Sequence, residues 1–217
     1  MIRATMRAAL ATALLAVLAG CGNMAEEQSM SGKLIQYARQ EVASRRGDKA
    51  PAPPPDPAQM AATALRVNKG PLILVGLERM GTTQVLAMTG ENGDRRTYMT
   101  KKEQALILRN GMLSGTRGLG HDLSVAEMDG SAALIRAGRS GQAGRVMRYW
   151  TGDGLERPLR LDCAVAPGPK AGVMTETCQN GPLKIQNSYL VQGGRITVSR
   201  QWIGPDLGYA TIQELRP

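Results

Sequence analysis

Apolar positions along this chain follow two periods. From 31 to 46, Leu34, Ile35, Ala38 and Val42 recur at three- and four-residue steps, which predicts a helix capped by Ser29 or Ser31. The run 47–57 is rich in proline and reads as extended and semi-rigid, and 58–67 is compatible with a second short helix. After Gly70 the period falls to two. Strand-like segments at 72–77, 82–89, 95–100, 104–109, 112–114, 145–151, 157–165, 173–178, 183–191, 195–202 and 209–215 are separated by turn residues, including Asn110-Gly111 and Gly193-Gly194. One further helix is expected around 122–136, interrupted by Gly130. Strands at this spacing predict a mainly β protein, an antiparallel barrel or sandwich with one or two short helices.

The N-terminus has a different pattern. Arg3 and Arg7 precede an apolar run from Ala8 to Ala19, then Gly20 and Cys21. A positive flank, a short apolar stretch and small residues before a cut are the parts of a secretory signal. The run is too short to span a bilayer, which takes about 20 apolar residues. Leu18-Ala19-Gly20-Cys21 has the form of a lipobox, so Cys21 is expected to carry lipid and to tether the protein to a membrane. Several acyl chains make a stable anchor. In the enterobacterial sorting rule an Asp after the cysteine retains a lipoprotein at the inner membrane. Gly22 stands there instead and favours the periplasmic face of the outer membrane. The expected division is a signal peptide over 1–20, an anchor, helix and linker over 21–57, and a β-rich periplasmic domain over 58–217.

That compartment changes how charge and cysteine are read. The chain of 217 residues carries a formal charge of +9, which becomes +7 once Arg3 and Arg7 leave with the signal. Outside the cytoplasm nucleic acid is not the expected partner, and basic charge is better matched to anionic glycans, phospholipid headgroups or lipopolysaccharide phosphates. Spread over a surface, it serves solubility alone. With Cys21 lipidated, Cys163 and Cys178 remain. A hairpin centred near Lys170 and Ala171, within a Pro- and Gly-rich turn, places them directly opposite each other and predicts a cross-strand disulfide. A metal site needs more ligands than two Cys and one distant His supply, so neither metal nor cofactor is expected. Phe is absent and Met is abundant at twelve, so the core must rely on aliphatic side chains and Met.

Catalytic material is sparse. His121 is the one histidine, and no G-x-S-x-G elbow occurs. Gly118-Leu119-Gly120 does not extend to a dinucleotide fingerprint, because Leu123 stands where a third Gly belongs. The bland reading of His121-Asp122 is a surface His followed by a cap for the next helix. Two segments stand out: the Gly-rich corner from Thr116 to Leu123, read as a strand-to-helix bend, and the stretch from Ser199 to Gly208. Trp202 and Trp150 can each pack in a core or stack on a sugar ring.

The lipobox, the chain length, the G-x-G-H-D-L corner and the C-terminal S-R-Q-W-I-G-P-D-L-G segment together resemble the YjbF/GfcB family, also called the group 4 capsule polysaccharide lipoprotein family. The likeness runs from about Leu65 to Leu215. It implies an outer-membrane lipoprotein with a barrel-like β fold that takes part in making or exporting an exopolysaccharide or capsule, and it carries over no catalytic residues.

The leading expectation is therefore a non-enzymatic accessory of polysaccharide export, binding an anionic polysaccharide or proteins of the export machinery. Arg117, His121, Asp122, Trp150, Gln201 and Trp202 are the candidate binding residues, with Arg95, Arg96, Lys101 and Lys102 as further basic groups near one turn. The alternatives are a polysaccharide lyase or hydrolase, and a structural envelope protein that pairs a sheet edge with a partner. A homodimer is left open.

Overall fold

The computed structural model describes residues 56–150 and 152–217. Cys21, the helix expected at 31–46 and the Pro-rich run up to 55 lie outside the described residues. The first element is helix α1 (Pro57–Val67), opened by Asp56, whose carboxylate accepts from the Ala58 N–H, with Pro57 at the first helical position. Twelve strands and one more helix follow among the described residues: β1 (Leu72–Leu77), β2 (Thr82–Asn92), β3 (Arg95–Met99), β4 (Ala105–Arg109), β5 (Met112–Arg117), β6 (Leu123–Glu127), α2 (Asp129–Arg136), β7 (Gly141–Trp150), β8 (Glu156–Pro167), β9 (Val173–Asn180), β10 (Leu183–Gln192), β11 (Arg195–Gly204) and β12 (Gly208–Arg216).

All strands pair antiparallel in one sheet of order β5-β4-β3-β2-β1-β12-β11-β10-β9-β8-β7-β6. Among the described residues only the β1–β12 pairing joins strands far apart in sequence; the other ladders join consecutive strands, β6 and β7 across α2 and the rest as hairpins. The sheet curls until its edge strands β5 and β6 meet, giving a nearly closed barrel. No ladder joins that seam. Side chains fasten it: the Arg117 guanidinium donates to the Leu123 and Ser124 carbonyls, and the Leu123 N–H donates to Thr116 Oγ1 at 2.9 Å.

Alternation sets the interior. On β8, Leu161, Cys163 and Val165 are buried while Arg160, Asp162 and Ala164 face water; on β12, Ala210 and Ile212 point in. The same period on β1 to β5 gathers Val75, Leu86, Leu106, Leu108 and Leu113 into the core. Two cross-barrel ties act inside. Gln201 on β11 accepts from the Leu113 N–H at 2.8 Å, and its amide donates to the Gly111 carbonyl; Tyr149 on β7 donates to the Ile203 carbonyl at 2.6 Å.

The helix expected over 122–136 is shorter than the sequence suggests. Residues Leu123–Glu127 form β6, paired with β7 from Leu123↔Tyr149 to Glu127↔Val146. Here sheet pairing overrides local preference. Only from Asp129 does helical spacing win, with Ser131 and Ile135 buried one turn apart on α2. Two strands run beyond their expected ends: β2 continues through a bulge near Met88 to Asn92, and β7 begins at Gly141.

Candidate functional site

Each mouth of the barrel is made by alternate connections. One is formed by the β1–β2, β3–β4, β5–β6, β7–β8, β9–β10 and β11–β12 links. There a cleft of about 590 Å3 opens, walled by Trp150, Pro158, Leu159 and Leu183 and floored by Tyr149 and Trp202, with His121, Arg157 and Asp206 among its polar lining. The two segments that stand out in the sequence meet in it: the corner supplies His121 and Asp122, and the C-terminal segment supplies Trp202, Gly204 and Asp206. His121 Nδ1 lies 3.4 Å from Asp206 Oδ2, an ion pair whenever the imidazole is protonated.

Local structure explains this placement. At the corner the chain reverses between β5 and β6, not between a strand and a helix, and Asp122 organises it. Its carboxylate accepts from the Gly118 N–H at 2.9 Å, the Leu119 N–H at 3.2 Å and the Thr116 hydroxyl at 2.8 Å. Asp122 therefore caps the bend and not a following helix, which leaves His121 projecting with its side chain 71% exposed. Gly118 has φ of 74°, and a Cβ there would come within 2.9 Å of the Glu103 carbonyl oxygen, so only glycine fits. At Gly204 a Cβ would press on the Tyr149 ring at 3.1 Å; without one, the ring comes close to β11 and its hydroxyl reaches the Ile203 carbonyl. Burial pushes the Tyr149 phenol pKa well up, with Arg145 opposing, so the phenol stays a hydrogen-bond donor.

The candidate residues separate into two groups. His121 and Trp150 are open to solvent in the cleft, and Trp150 is 65% exposed. Trp202 is mostly core, with 6% of its surface free at the cleft floor. Gln201 is fully buried and its amide is spent on Leu113, Gly111 and Ser199. Arg117 is spent on carbonyls of the seam. The basic residues expected near one turn are split: Arg95 and Arg96 begin β3, while Lys101 and Lys102 follow its other end, so they stand at opposite mouths of the barrel.

A second group of polar residues lies inside the barrel beside α2. Arg145 on β7 and Glu176 on β9 are fully buried and 2.9 Å apart. Tyr189 and Asn187 on β10 donate to the same Glu176 Oε2 at 2.9 and 2.8 Å, and Asn187 Oδ1 accepts from the Trp202 N–H at 2.8 Å. Burial pushes the Glu176 carboxyl up, but Arg145, Asn187 and Tyr189 together bring it below the usual carboxylate range. The Ser131 hydroxyl adds to that pull without a hydrogen bond of normal geometry. The cluster is hidden in sequence but not silent: Arg145 shares the inward phase of β7 with Met147, and Glu176 that of β9 with Met174 and Cys178. A charge on the apolar phase of two strands is the available signal.

Cys163 and Cys178 are register partners on β8 and β9 and form a disulfide. A Glu176 oxygen lies close to both sulfurs, but each sulfur is bonded to the other and the carboxylate is already held by Arg145, Asn187 and Tyr189, so this trio does not fit a metal.

Comparison with known proteins places this geometry. No curated protein matches the sequence. Among solved structures, the hypothetical lipoprotein YmcC from Escherichia coli K12 is similar with a TM-score of 0.59 at 16% identity, covering 89% of this chain and 98% of that one. At that identity the likeness speaks for the fold. The family described as group 4 capsule polysaccharide lipoprotein gfcB, YjbF matches residues 8–215, which extends past the region of resemblance into the N-terminal stretch. A lipoprotein family implies a lipid anchor in a membrane. The chain belongs to the group 4 capsule polysaccharide lipoprotein family.

Proposed function

We propose that this protein is a non-enzymatic accessory of capsule or exopolysaccharide export, held by lipid on Cys21 at the periplasmic face of the outer membrane, and that it binds the polymer in the tryptophan cleft. Cleavage before Cys21 leaves a mature chain whose β-rich domain is joined to the anchor by the segment up to 57. One observation carries the glycan assignment: the two unusual segments of the sequence converge on one open cleft whose wall is an exposed indole. A sugar ring offers a C–H face that stacks on an aromatic ring, while its hydroxyls need hydrogen-bond partners at the ring edge. Trp150 supplies the first, and His121, Asp206 and Arg157 supply the second. Trp202 and Tyr149 give a rigid floor, since both are locked by packing or hydrogen bonds.

Pairing by strand addition at the seam has less support, because Arg117 and Thr116 already occupy backbone groups of β6 there. The His121–Asp206 pair favours one rival, a lyase or hydrolase acting in the same cleft.

The test is secreted polymer from a strain lacking the gene, carrying plasmid-borne wild type, Trp150→Ala or His121→Ala. Restoration by wild type and at least a tenfold weaker restoration by Trp150→Ala, with His121→Ala intermediate, is expected. Full restoration by Trp150→Ala would sink the cleft as the binding site. Shortened polymer chains made by wild type but not by His121→Ala would replace the accessory with the enzyme.

A further inference from the structure

The other mouth of the barrel holds a second pocket, and its chemistry is different. It is sunk among the β2–β3 and β4–β5 turns, the end of α2, the start of β11 and the end of β12, with a volume of about 290 Å3. Ile73, Leu108 and Ile212 close it from the core side, so it is blind. The floor is polar: Tyr98 is 2% exposed and Ser199 3% exposed. Burial raises the Tyr98 phenol pKa against the pull of Arg96, which keeps its proton in place for donation.

Three arginines, Arg96, Arg136 and Arg195, and three carboxylates, Glu91, Asp94 and Glu214, line the pocket, and each arginine uses only part of its guanidinium. Arg96 Nε donates to Glu91 at 2.9 Å, Arg195 Nη2 to Glu214 at 2.5 Å, and Arg136 Nε to the Gly194 carbonyl at 3.1 Å. Arg136 has no carboxylate partner among the described residues. Both Arg136 Nη groups and the remaining wing of Arg195 make no further hydrogen bond there, although the two arginines line one pocket. A guanidinium presents its donors as a planar fork that matches a carboxylate or phosphate.

Further cations stand around the pocket. Lys69, Arg95, Arg139 and Lys170 lie in or beside the turns of this mouth and also lack a carboxylate partner among the described residues. A depression of about 480 Å3 that includes Arg136 and Lys170 adjoins the pocket.

We propose that the arginine pocket is a second binding site, built for an anionic sugar residue: Arg136 and Arg195 take the acidic group, and Ser199 and Tyr98 face the hydroxyls. The anionic character rests on Arg136, which has no carboxylate partner among the described residues, and on the free wing of Arg195 beside it; that the anion is carried by a sugar rests on the glycan reading above. Two features favour a saccharide over a membrane surface. Below the exposed Arg136 and Arg195, Tyr98 and Ser199 lie buried at the floor of a pocket of monosaccharide size, where a flat headgroup layer does not reach. Among the described residues, the exposed large apolar side chains Met80, Trp150 and Leu155 lie at the opposite mouth, and Val67 is the one toward this mouth.

The experiment uses the full-length lipoprotein in neutral detergent and measures binding of trigalacturonate, of uncharged trigalactose, and of vesicles containing anionic phosphatidylglycerol. Wild type, Arg136→Gln/Arg195→Gln and Trp150→Ala are compared, each first checked for an unchanged thermal midpoint. Expected is binding of trigalacturonate at least tenfold tighter than of trigalactose, a preference lost in the double arginine variant and kept in Trp150→Ala, whatever affinity the cleft itself adds for both sugars. Equal affinity for both sugars, or loss only in Trp150→Ala, would overturn the second site. Vesicle binding that depends on the two arginines, without trigalacturonate binding, would make this mouth a membrane contact and overturn the saccharide assignment. Normal polymer export by Trp150→Ala beside arginine-dependent trigalacturonate binding would remove the cleft reading and leave the pocket standing.

Discussion

The two halves of the barrel interior are filled by different physics. Between β1 and β5, Val75, Leu86, Leu106, Leu108, Met112 and Leu113 make an aliphatic core held by area and shape. Between β7 and β10, the wall carries a dry ion pair, two hydrogen bonds onto one carboxylate oxygen, a disulfide and the plug of α2. An aliphatic core tolerates changes that conserve volume, at under about 1.5 kcal/mol each. A buried polar cluster does not, because each member depends on a partner in one geometry. The polar half thus fixes how β7, β9, β10 and α2 meet beneath the tryptophan cleft, and Asn187 carries that order to the Trp202 backbone.

The sharpest way to break this comparison is to remove one charge. Arg145→Ala leaves Glu176 buried without its cation and is expected to cost about 3–5 kcal/mol in urea unfolding. Replacing both partners, Arg145→Met with Glu176→Leu, is expected to recover most of that loss or to exceed wild type, since a packed apolar pair avoids desolvation. A loss under about 1 kcal/mol for Arg145→Ala would mean that the two halves are not energetically distinct. Leu106→Met is the matched change in the aliphatic half, and its cost should stay below the limit for volume-conserving swaps.

The disulfide comes next. Cys163 and Cys178 close a loop spanning 15 positions in sequence, and loop entropy assigns such a link about 3 kcal/mol. Cys163→Ser with Cys178→Ser should lower stability by about that amount without unfolding the protein, because the hairpin ladder on both sides remains. Identical unfolding curves for wild type with and without reductant would show that the hairpin is held by its ladder alone.

Much of this architecture was readable from residue order, and the reasons are local. The hairpin centred on Lys170 and Ala171 follows from alternation plus dense turn chemistry, and it gives the Cys163↔Cys178 register directly. The strand set follows in the same way. The stretch Leu123–Glu127 forms a strand where a helix is expected, because its helix and strand patterns are locally similar and only the β7 edge decides between them. The candidate site was legible in part: His121 and Trp150 emerge from their segments as exposed groups of one cleft. Gln201 and Arg117 look alike in sequence but are consumed inside the barrel, by contacts that exist only once the sheet curls, such as Gln201 with Leu113 across 88 positions. The arginine pocket was invisible for the same reason. Arg136 and Arg195 belong to a helix end and a hairpin, and barrel closure alone brings them to one mouth.

The smallest effect concerns acid. Burial opposes ionisation of Glu176, yet Arg145 and the donors from Asn187 and Tyr189 hold its folded pKa below the ordinary glutamate value of 4.5. A carboxyl whose folded pKa lies below its unfolded one binds fewer protons when folded, so it adds stability that is fully present above the unfolded value. That contribution fades as pH falls from about 4.5 through the lower folded value. Wild type should therefore lose more stability between pH 6 and pH 3 than Glu176→Gln, which cannot titrate there, after subtraction of the loss common to both. The change in the aliphatic half, Leu106→Met, should follow the wild-type pH profile in parallel, displaced by a constant. If Glu176→Gln instead tracks wild type across the whole range, the carboxyl is not ionised in the folded barrel, and the polar half is a neutral hydrogen-bond network with an arginine beside it, not an ion pair.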